Sequence, residues 1–496
     1  MTRRTRRSVA RTLTLAAAAA FALPALASVS ADAETSAPAV TAAAPFSLWA
    51  PAKMTVYAYG NQVWSDLGLR MIAEDAPLEL WSTRSSYDDP IQTVWRSGTG
   101  DVTLPEGSMK DFGGLRNFVQ LSIEKVGGGF SKTTTRTACL NTYSERVRPD
   151  APARSPYPRS CYYNPYSLGS VQGVQTGWAA PVLTQDRPLR LQPGRYDVTA
   201  TINPAYAAVF GLTPTDATRE LRLIVKKDGG GSGPGPVPVG RGHSGRPVQP
   251  AAHEPASAAG GLVADTKPDL RALPAWGIRV ANNGNYLQFS ATVWNAGDSP
   301  LVVDGFRRAG EDEMDAYQYF FDADGNQTGY QLVGSMHWDP KPTHLHWHFE
   351  DFATYTLLNA DMTEVVKSHK EAFCLAPTDA VDQTVPNAAW NVDNSDLTTA
   401  CGDYGSLSVR EVLASGWGDT YAQFRAGQSF NLKGLANGDY YVAVNANPLD
   451  RLVESSTANN QSLRKVHISG TEGHRKVTVD QVGVIIEPTW NFEGGF

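Results

Sequence analysis

Several things this chain lacks narrow what it can be. Beyond residue 33 no apolar run is long enough to span a bilayer, so no transmembrane helix is expected in the mature chain. Net positive charge is missing: the formal charge is −7. Residues 1–33 hold five arginines and one aspartate, a net +4, so the remainder sits near −11. That balance disfavours nucleic acid as a partner and mildly favours cationic ones. Between Phe46 and Lys227 there is no histidine, no pair of carboxylates at a useful spacing and no nucleophile motif. This region therefore offers no chemistry of its own. Cysteine is scarce, with Cys139, Cys161, Cys374 and Cys401 the full set in 496 residues. In an oxidising compartment, proximity in sequence favours two local bridges, Cys139–Cys161 and Cys374–Cys401, although four cysteines permit three pairings.

Compartment and organisation follow from what is present. Arg3, Arg4, Arg6, Arg7 and Arg11 precede an alanine-rich apolar stretch from Leu13 to Leu26, and small-residue cleavage sites follow. Residues 1–33 read as a secretory signal, by a general or a twin-arginine route, which makes the expected product secreted and extracellular. Residues 34–45 form an Ala/Thr/Ser/Pro leader, and residues 46–228 an N-terminal β-rich domain of unassigned role. At Gly229 the composition changes to GGGSGPGPVPVGRGHSG, and low complexity continues to residue 260. Such Gly/Pro/Ser runs bury no core and act as linkers. Residues 261–496 form the second domain.

Period-two alternation marks strands at Met54–Tyr59, Phe118–Ile123, Asn285–Trp294, Ala353–Leu358, Tyr440–Asn445 and Ser462–Ile468. Ala353–Leu358 reads as the antiparallel partner of a strand just before it. The segment from Cys139 to Cys161 is rich in Pro, Arg, Tyr and Ser, and reads as a long loop stapled at its base. One internal echo links the halves. Gly194-Arg195-Tyr196-Asp197-Val198 with Asn203-Pro204 matches Gly438-Asp439-Tyr440-Tyr441-Val442 with Asn447-Pro448. The expected fold is all-β: two β-sandwich-like domains joined by the Gly/Pro-rich linker, the second with long loops around a metal site.

The metal site is expected at HLHWH, residues 344–348. Five of the nine histidines lie between His337 and His369, and His344, His346 and His348 alternate. On a strand these three imidazoles share one face; on a helix alternate positions lie about 200° apart and would scatter. Imidazole is the commonest ligand for copper and zinc, and three such nitrogens leave open positions on the ion.

Four motifs in order carry a resemblance: HLHWH, SHKEAFCL around Lys370, GWGDTY ending at Tyr421, and NGDYYVAVNANP. Pro268-Asp269-Leu270 and LQFSATVWNAG flank them upstream, VESSTANN downstream. Over about two-fifths of its length the chain resembles the lysyl oxidase family. The resemblance implies a copper amine oxidase acting on primary amines, peptidyl or free and lysine-like. Aldehyde, hydrogen peroxide and ammonia would be the products, with molecular oxygen as oxidant. It implies copper on His344, His346 and His348, and a lysine tyrosylquinone built from Lys370 and Tyr421. To join the ring Lys370 must be neutral, which a free lysine with a pKa of ~10.4 is not at neutral pH, so burial or a nearby cation must lower it. His369 is one candidate cation. Asp419, in the family's Asp-x-Tyr, is a candidate for the catalytic base or for a group that orients its neighbours. Calcium is implied on Asp269, the Leu270 carbonyl, Glu454, Asn459 and Asn460; Ser456 stands where relatives carry an aspartate, one carboxylate fewer.

Two other readings compete. A metal-binding sandwich that holds a cell-wall or matrix ligand without catalysis would need neither Lys370 nor Tyr421. A zinc hydrolase would need a base such as Glu350 or Asp351 beside the metal, but His348 to Glu350 lacks the helical HExxH spacing.

Overall fold

Alternation in the sequence becomes strand pairing almost everywhere in the computed structural model. The structure describes residues 44–162, 164–183, 187–228, 259–261, 265–281, 284–308, 310–340, 345–368, 370, 372–392, 395–425 and 427–488. The signal segment, the leader to residue 43, linker residues 229–258, His344 and His369 lie outside them. Among the described residues the protein is all-β apart from two short helices, Pro204–Val209 and Pro214–Ala217. No helix among them is long and apolar enough to cross a membrane.

The residues up to Lys227 build their own core. One five-stranded sheet runs in the order Lys53–Ala58, Thr218–Lys227, Gly194–Ile202, Leu115–Lys125, Ser131–Ala138. Its alternate apolar positions, among them Val56, Leu121, Ile123, Val198 and Leu223, enter a cluster shared with Leu48, Met71 and Leu80 from the smaller sheets. Between Cys139 and Cys161, which are bonded, the chain is loop apart from the two-residue strand Glu145–Arg146.

The second half has a separate core drawn from three sheets. Leu301–Arg307, Glu313–Phe321 and Gln327–Asp339 pair in sequence, and His346–Glu350 then pairs with Gln327–Asp339. The aromatic, acid-rich stretch before the histidines, where no strand was expected, is thus a three-stranded meander. Ala353–Leu358 is not the partner of the histidine strand. It pairs with Gly438–Ala446 and Glu364–Lys367 in another sheet. The change of sheet falls at Asp351, which turns left-handed at φ 60°, and Phe352, Ala353, Tyr355 and Leu357 beyond it join the same core.

The internal echo has a structural meaning. The Tyr196 hydroxyl donates to the Gln192 carbonyl at 2.8 Å, and the Tyr440 hydroxyl to the Ala436 carbonyl at 2.8 Å. Each tyrosine therefore ties its strand to the backbone four residues upstream, the corner that recurs in β-sandwiches. The exits diverge. Asn203 caps the helix Pro204–Val209, whereas Asn447 turns left-handed and bonds Glu454.

Although each half has its own core, Ala44–Phe496 is one compact unit. Tyr166 joins Leu273, Trp276, Trp294, Val381 and Ile485 in a cluster drawn from both halves.

Candidate active site

The histidine strand is short, regular and held on both edges. Along one edge its register is Asp339 opposite His346, Trp338 opposite Trp347 and His337 opposite His348. On the other edge the Trp347 N–H donates to the Cys401 carbonyl at 3.0 Å, and Phe349 faces Phe373. With no bulge in the register, side chains alternate. Trp347 and Phe349 enter the core, and His346 and His348 take the other face. Trp347 is fixed by its indole N–H, which donates to the Asp403 carbonyl at 2.9 Å, and by the Arg307 guanidinium 5.1 Å from its ring.

The rings of His346 and His348 stand 4.5 Å apart between centroids. Three further groups join them: His337 and Asp339, which the sequence did not single out, and Glu350, which it named only as the base of a competing hydrolase reading. His337 faces His348 with ring centroids 5.9 Å apart, and its Nδ1 lies 3.0 Å from Glu350 Oε1. Asp339 Oδ2 is 3.8 Å from His348 Nδ1. A carboxylate behind an imidazole orients a ligating histidine, so Asp339 and Glu350 have the chemistry of supports for a metal centre. Among the described residues no three His, Cys, Asp or Glu groups converge closely enough to hold an ion. The three-histidine set thus depends on His344.

Lys370 and Tyr421 come together from opposite ends of a loop-rich segment. Lys370 is buried, with Nζ 4.4 Å from the centroid of the Tyr421 ring and 5.1 Å from that of Phe373. Phe373 meets Tyr421 edge-on at 5.0 Å. Gly427 closes the back of Lys370. Its φ is +83°, and a Cβ there would stand 3.0 Å from Lys370 Cβ, so a side chain would displace the lysine. Ser368 donates to the Gly427 carbonyl and accepts the Lys370 N–H at 3.1 Å.

Tyr421 is placed by backbone. The Cys374 N–H donates to its phenol oxygen at 3.0 Å, and the phenol lies 3.3 Å from the Cys374 carbonyl. Cys374 is bonded to Cys401. One disulfide therefore links the group that holds Tyr421 to the carbonyl that holds Trp347 in the histidine strand.

Two buried acids share this chamber. Burial pushes Asp419 well above the usual carboxylate range, with Lys370 opposing the shift and Asp379 adding to it. Glu411, missed in the sequence because nothing around it resembles a motif, is raised by burial against the pull of the Leu375 N–H, with Asp419 adding to the rise. Asp419 Oδ2 and Glu411 Oε1 are buried and have no hydrogen-bond partner. Tyr421 is itself pushed up, by burial first and then by Asp419 and Glu411, so its phenol stays protonated. A lysine amine, two carboxyl oxygens without hydrogen-bond partners and a neutral phenol thus stand together.

The expected calcium residues also converge. Glu454 Oε2 accepts the Leu270 N–H at 2.8 Å, and its Oε1 accepts from Asn460 at 2.8 Å and Asn447 at 2.7 Å. Asn459 donates to Asp269 at 3.0 Å, and the Arg271 Nε donates to Asp269 Oδ2 at 2.7 Å. The amide oxygens of Asn459 and Asn460 are buried without partners.

Residues 322–478 match the family model described as Lysyl oxidase. This chain carries a lysyl oxidase family domain. The matched span of that domain contains His346, His348, Lys370, Asp419, Tyr421, Glu454, Asn459 and Asn460, and begins after Asp269 and Leu270. Lysyl oxidase homolog 2 of Xenopus tropicalis is 29% identical over 130 residues, which is 26% of this chain and 15% of that protein.

Proposed function

We propose that this protein is a secreted, copper- and quinone-dependent amine oxidase that converts primary amines of the lysine type to aldehydes with oxygen. One observation carries the reading: Lys370 Nζ lies 4.4 Å from the ring of Tyr421 in a buried chamber. Lys370, Tyr421 and the acids Asp419 and Glu411 come from separate stretches of the chain and meet at one place, a meeting that a quinone link requires and a metal-only module does not.

His344, His346 and His348 would hold copper, with Asp339 behind His348; imidazole donors and a carboxylate support suit that ion. Bound there, copper supplies the redox chemistry that turns a tyrosine ring into a quinone in the presence of oxygen. The chain's own residues do the rest. Phe373 and Gly427 keep Lys370 over the ring, and Cys374 fixes the ring's oxygen. Asp419 Oδ2, free of partners, can take the proton that Lys370 must shed before its nitrogen bonds to carbon. In turnover the same oxygen would take a proton from a substrate carbon beside the ring. Asp269, Glu454 and the orphaned amide oxygens of Asn459 and Asn460 suit a hard cation such as calcium, and the site would tie the start of the domain to its penultimate hairpin.

Peptide mapping of the purified protein after copper loading in air tests the proposal. The expected result is a Lys370 peptide covalently joined to the Tyr421 peptide, with the mass of a quinone link. Two separate, unmodified peptides from fully loaded protein would remove the amine oxidase reading and leave a metal-binding sandwich.

A further inference from the structure

The part of the chain before the linker offers no chemistry by itself, yet one of its segments runs into the strand that bears Tyr421. After Cys161 the backbone from Asn164 to Val171 lies along residues 379–383. The Leu168 N–H donates to the Val381 carbonyl at 2.7 Å, and the Gln383 N–H to the Gly169 carbonyl at 3.0 Å. Ser167 Oγ donates to the Ala380 carbonyl at 3.0 Å, and the Val171 N–H to Gln383 Oε1 at 3.0 Å. At Gly169 the approach is so close that a Cβ would strike Asp382 and Thr384. Asp379–Ala380 in turn pairs with Trp417–Tyr421, Asp379 opposite Gly418. Strand by strand, the N-terminal half reaches the segment that carries Asp419 and Tyr421.

At the head of that contact stands Asn164, 1% exposed. Its amide nitrogen donates to Thr292 Oγ1 at 3.0 Å and lies 3.4 Å from Thr420 Oγ1, and those two hydroxyls are 2.7 Å apart. It also bonds the Asp379 carboxyl, as does Thr420. Its own oxygen is taken by the Tyr166 N–H at 3.0 Å, which fixes the amide's direction. Thr420 sits between Asp419 and Tyr421, so whatever holds Thr420 sets the placement of both.

We infer that Asn164 is a positioning residue for the quinone pair: its side-chain amide, supplied by the N-terminal half, fixes the strand that presents Asp419 and Tyr421 to Lys370. The inference rests on the amine oxidase reading for its consequence, though not for its geometry. It gives the N-terminal half a direct part in the catalytic site. Removing the amide leaves two threonine hydroxyls and Asp379 to rearrange in a closed space. Small misplacements in such sites slow chemistry steeply.

The test uses the full chain and a swap of donor and acceptor. Asn164→Asp removes the donor and sets a second acid against Asp379; Asn164→Asp combined with Asp379→Asn restores one donor and one acceptor. Tyr166→Phe, which removes only the hydroxyl bonded to Arg464, controls for general loosening of the contact. Two readouts are taken: hydrogen exchange of residues 417–421 in copper-free protein, and the fraction of chains with the Lys370–Tyr421 link after copper and air. The single Asn164→Asp variant is expected to exchange faster there and to form the link roughly tenfold less. The double variant should regain both, and Tyr166→Phe should link like wild type. Equal linking and equal exchange in Asn164→Asp and wild type would overturn the inference, as would a loss that the double variant fails to recover. If wild type itself forms no link, the quinone reading falls. The exchange data then decide the inference alone: faster exchange reversed by the swap supports it, and unchanged exchange removes it.

Discussion

At the residue scale the site is a problem in burying charge. A carboxylate or ammonium taken from water is costly unless paired, and the usual answer is a shifted pKa. Asp419 follows this rule. Burial holds it protonated above the ordinary carboxylate range, and Lys370 nearby pulls the other way. In the proposed amine oxidation Asp419 works as an ionised base, so amine turnover should climb with pH along a limb set by Asp419, displaced upward from that of a free aspartate. Asp419→Asn should abolish the limb and lower turnover by roughly 10²- to 10⁴-fold, as for loss of a general base. A pH–rate profile of the cross-linked variant checks this, and a limb that survives unchanged would assign the base elsewhere, with Glu411 next in line. The sequence pointed to Lys370, Tyr421 and Asp419 because they stand in recognisable motifs. Glu411, His337 and Asn164 have no such context. They matter only through what folds against them.

At the scale of elements, the histidine strand and the Tyr421 strand lie in different sheets, and the Cys374–Cys401 bridge connects what holds each. It closes a segment of 27 residues, which on chain-entropy grounds stabilises by roughly 3 to 4 kcal/mol. Replacing both cysteines by serine should lower the melting temperature by several degrees and reduce the yield of the Lys370–Tyr421 link, because the Cys374 N–H then loses its fixed position. Calorimetry and peptide mapping of that variant test both halves of the statement. Linking at the wild-type level would show that strand pairing alone positions the phenol. The loop from Asn447 to Asn460 offers a second elemental test. With Asn459 and Asn460 oxygens unpartnered and the Glu454 carboxyl half-buried, added calcium should raise the melting temperature. A hundredfold excess over the dissociation constant corresponds to about 2.7 kcal/mol. Glu454→Gln should blunt the response, and a melting temperature indifferent to calcium in wild type would refute the site.

For the whole molecule, the contact between halves carries a titration. Burial raises Asp379 from 3.8 to about 6, with Thr420 and Asn164 bonds opposing the rise. The folded state therefore favours the neutral acid. Its contribution is fully present below the unfolded pKa of 3.8 and is lost as pH rises through about 6. The shift corresponds to an order of 2 to 3 kcal/mol. Asp379→Asn, which stays neutral, should lose less stability than wild type between those pH values. Denaturant melts at each end of the window measure the difference, and parallel curves would mean that the group is solvated. Because Ala44–Phe496 is one compact unit, this local titration should appear in the unfolding of the whole molecule.

The sequence by itself determined the all-β class, the strands it marked, such as Phe118–Ile123 and Tyr440–Asn445, and the two cysteine pairs, and it named the side chains on which the proposed chemistry rests. Alternation writes strands directly into residue order, and redox or ligand chemistry demands particular residue types. It placed Ala353–Leu358 beside the wrong strand because the left-handed turn at Asp351, where the chain changes sheet, leaves no periodic mark. Only the tertiary structure decided which distant groups meet. It set Lys370 over Tyr421, bound Cys374 to the phenol, put His337 opposite His348 and brought Asn164 against Thr420, 256 residues away. Such encounters depend on sheet order and on packing between the halves, and neither leaves a local signal in the chain.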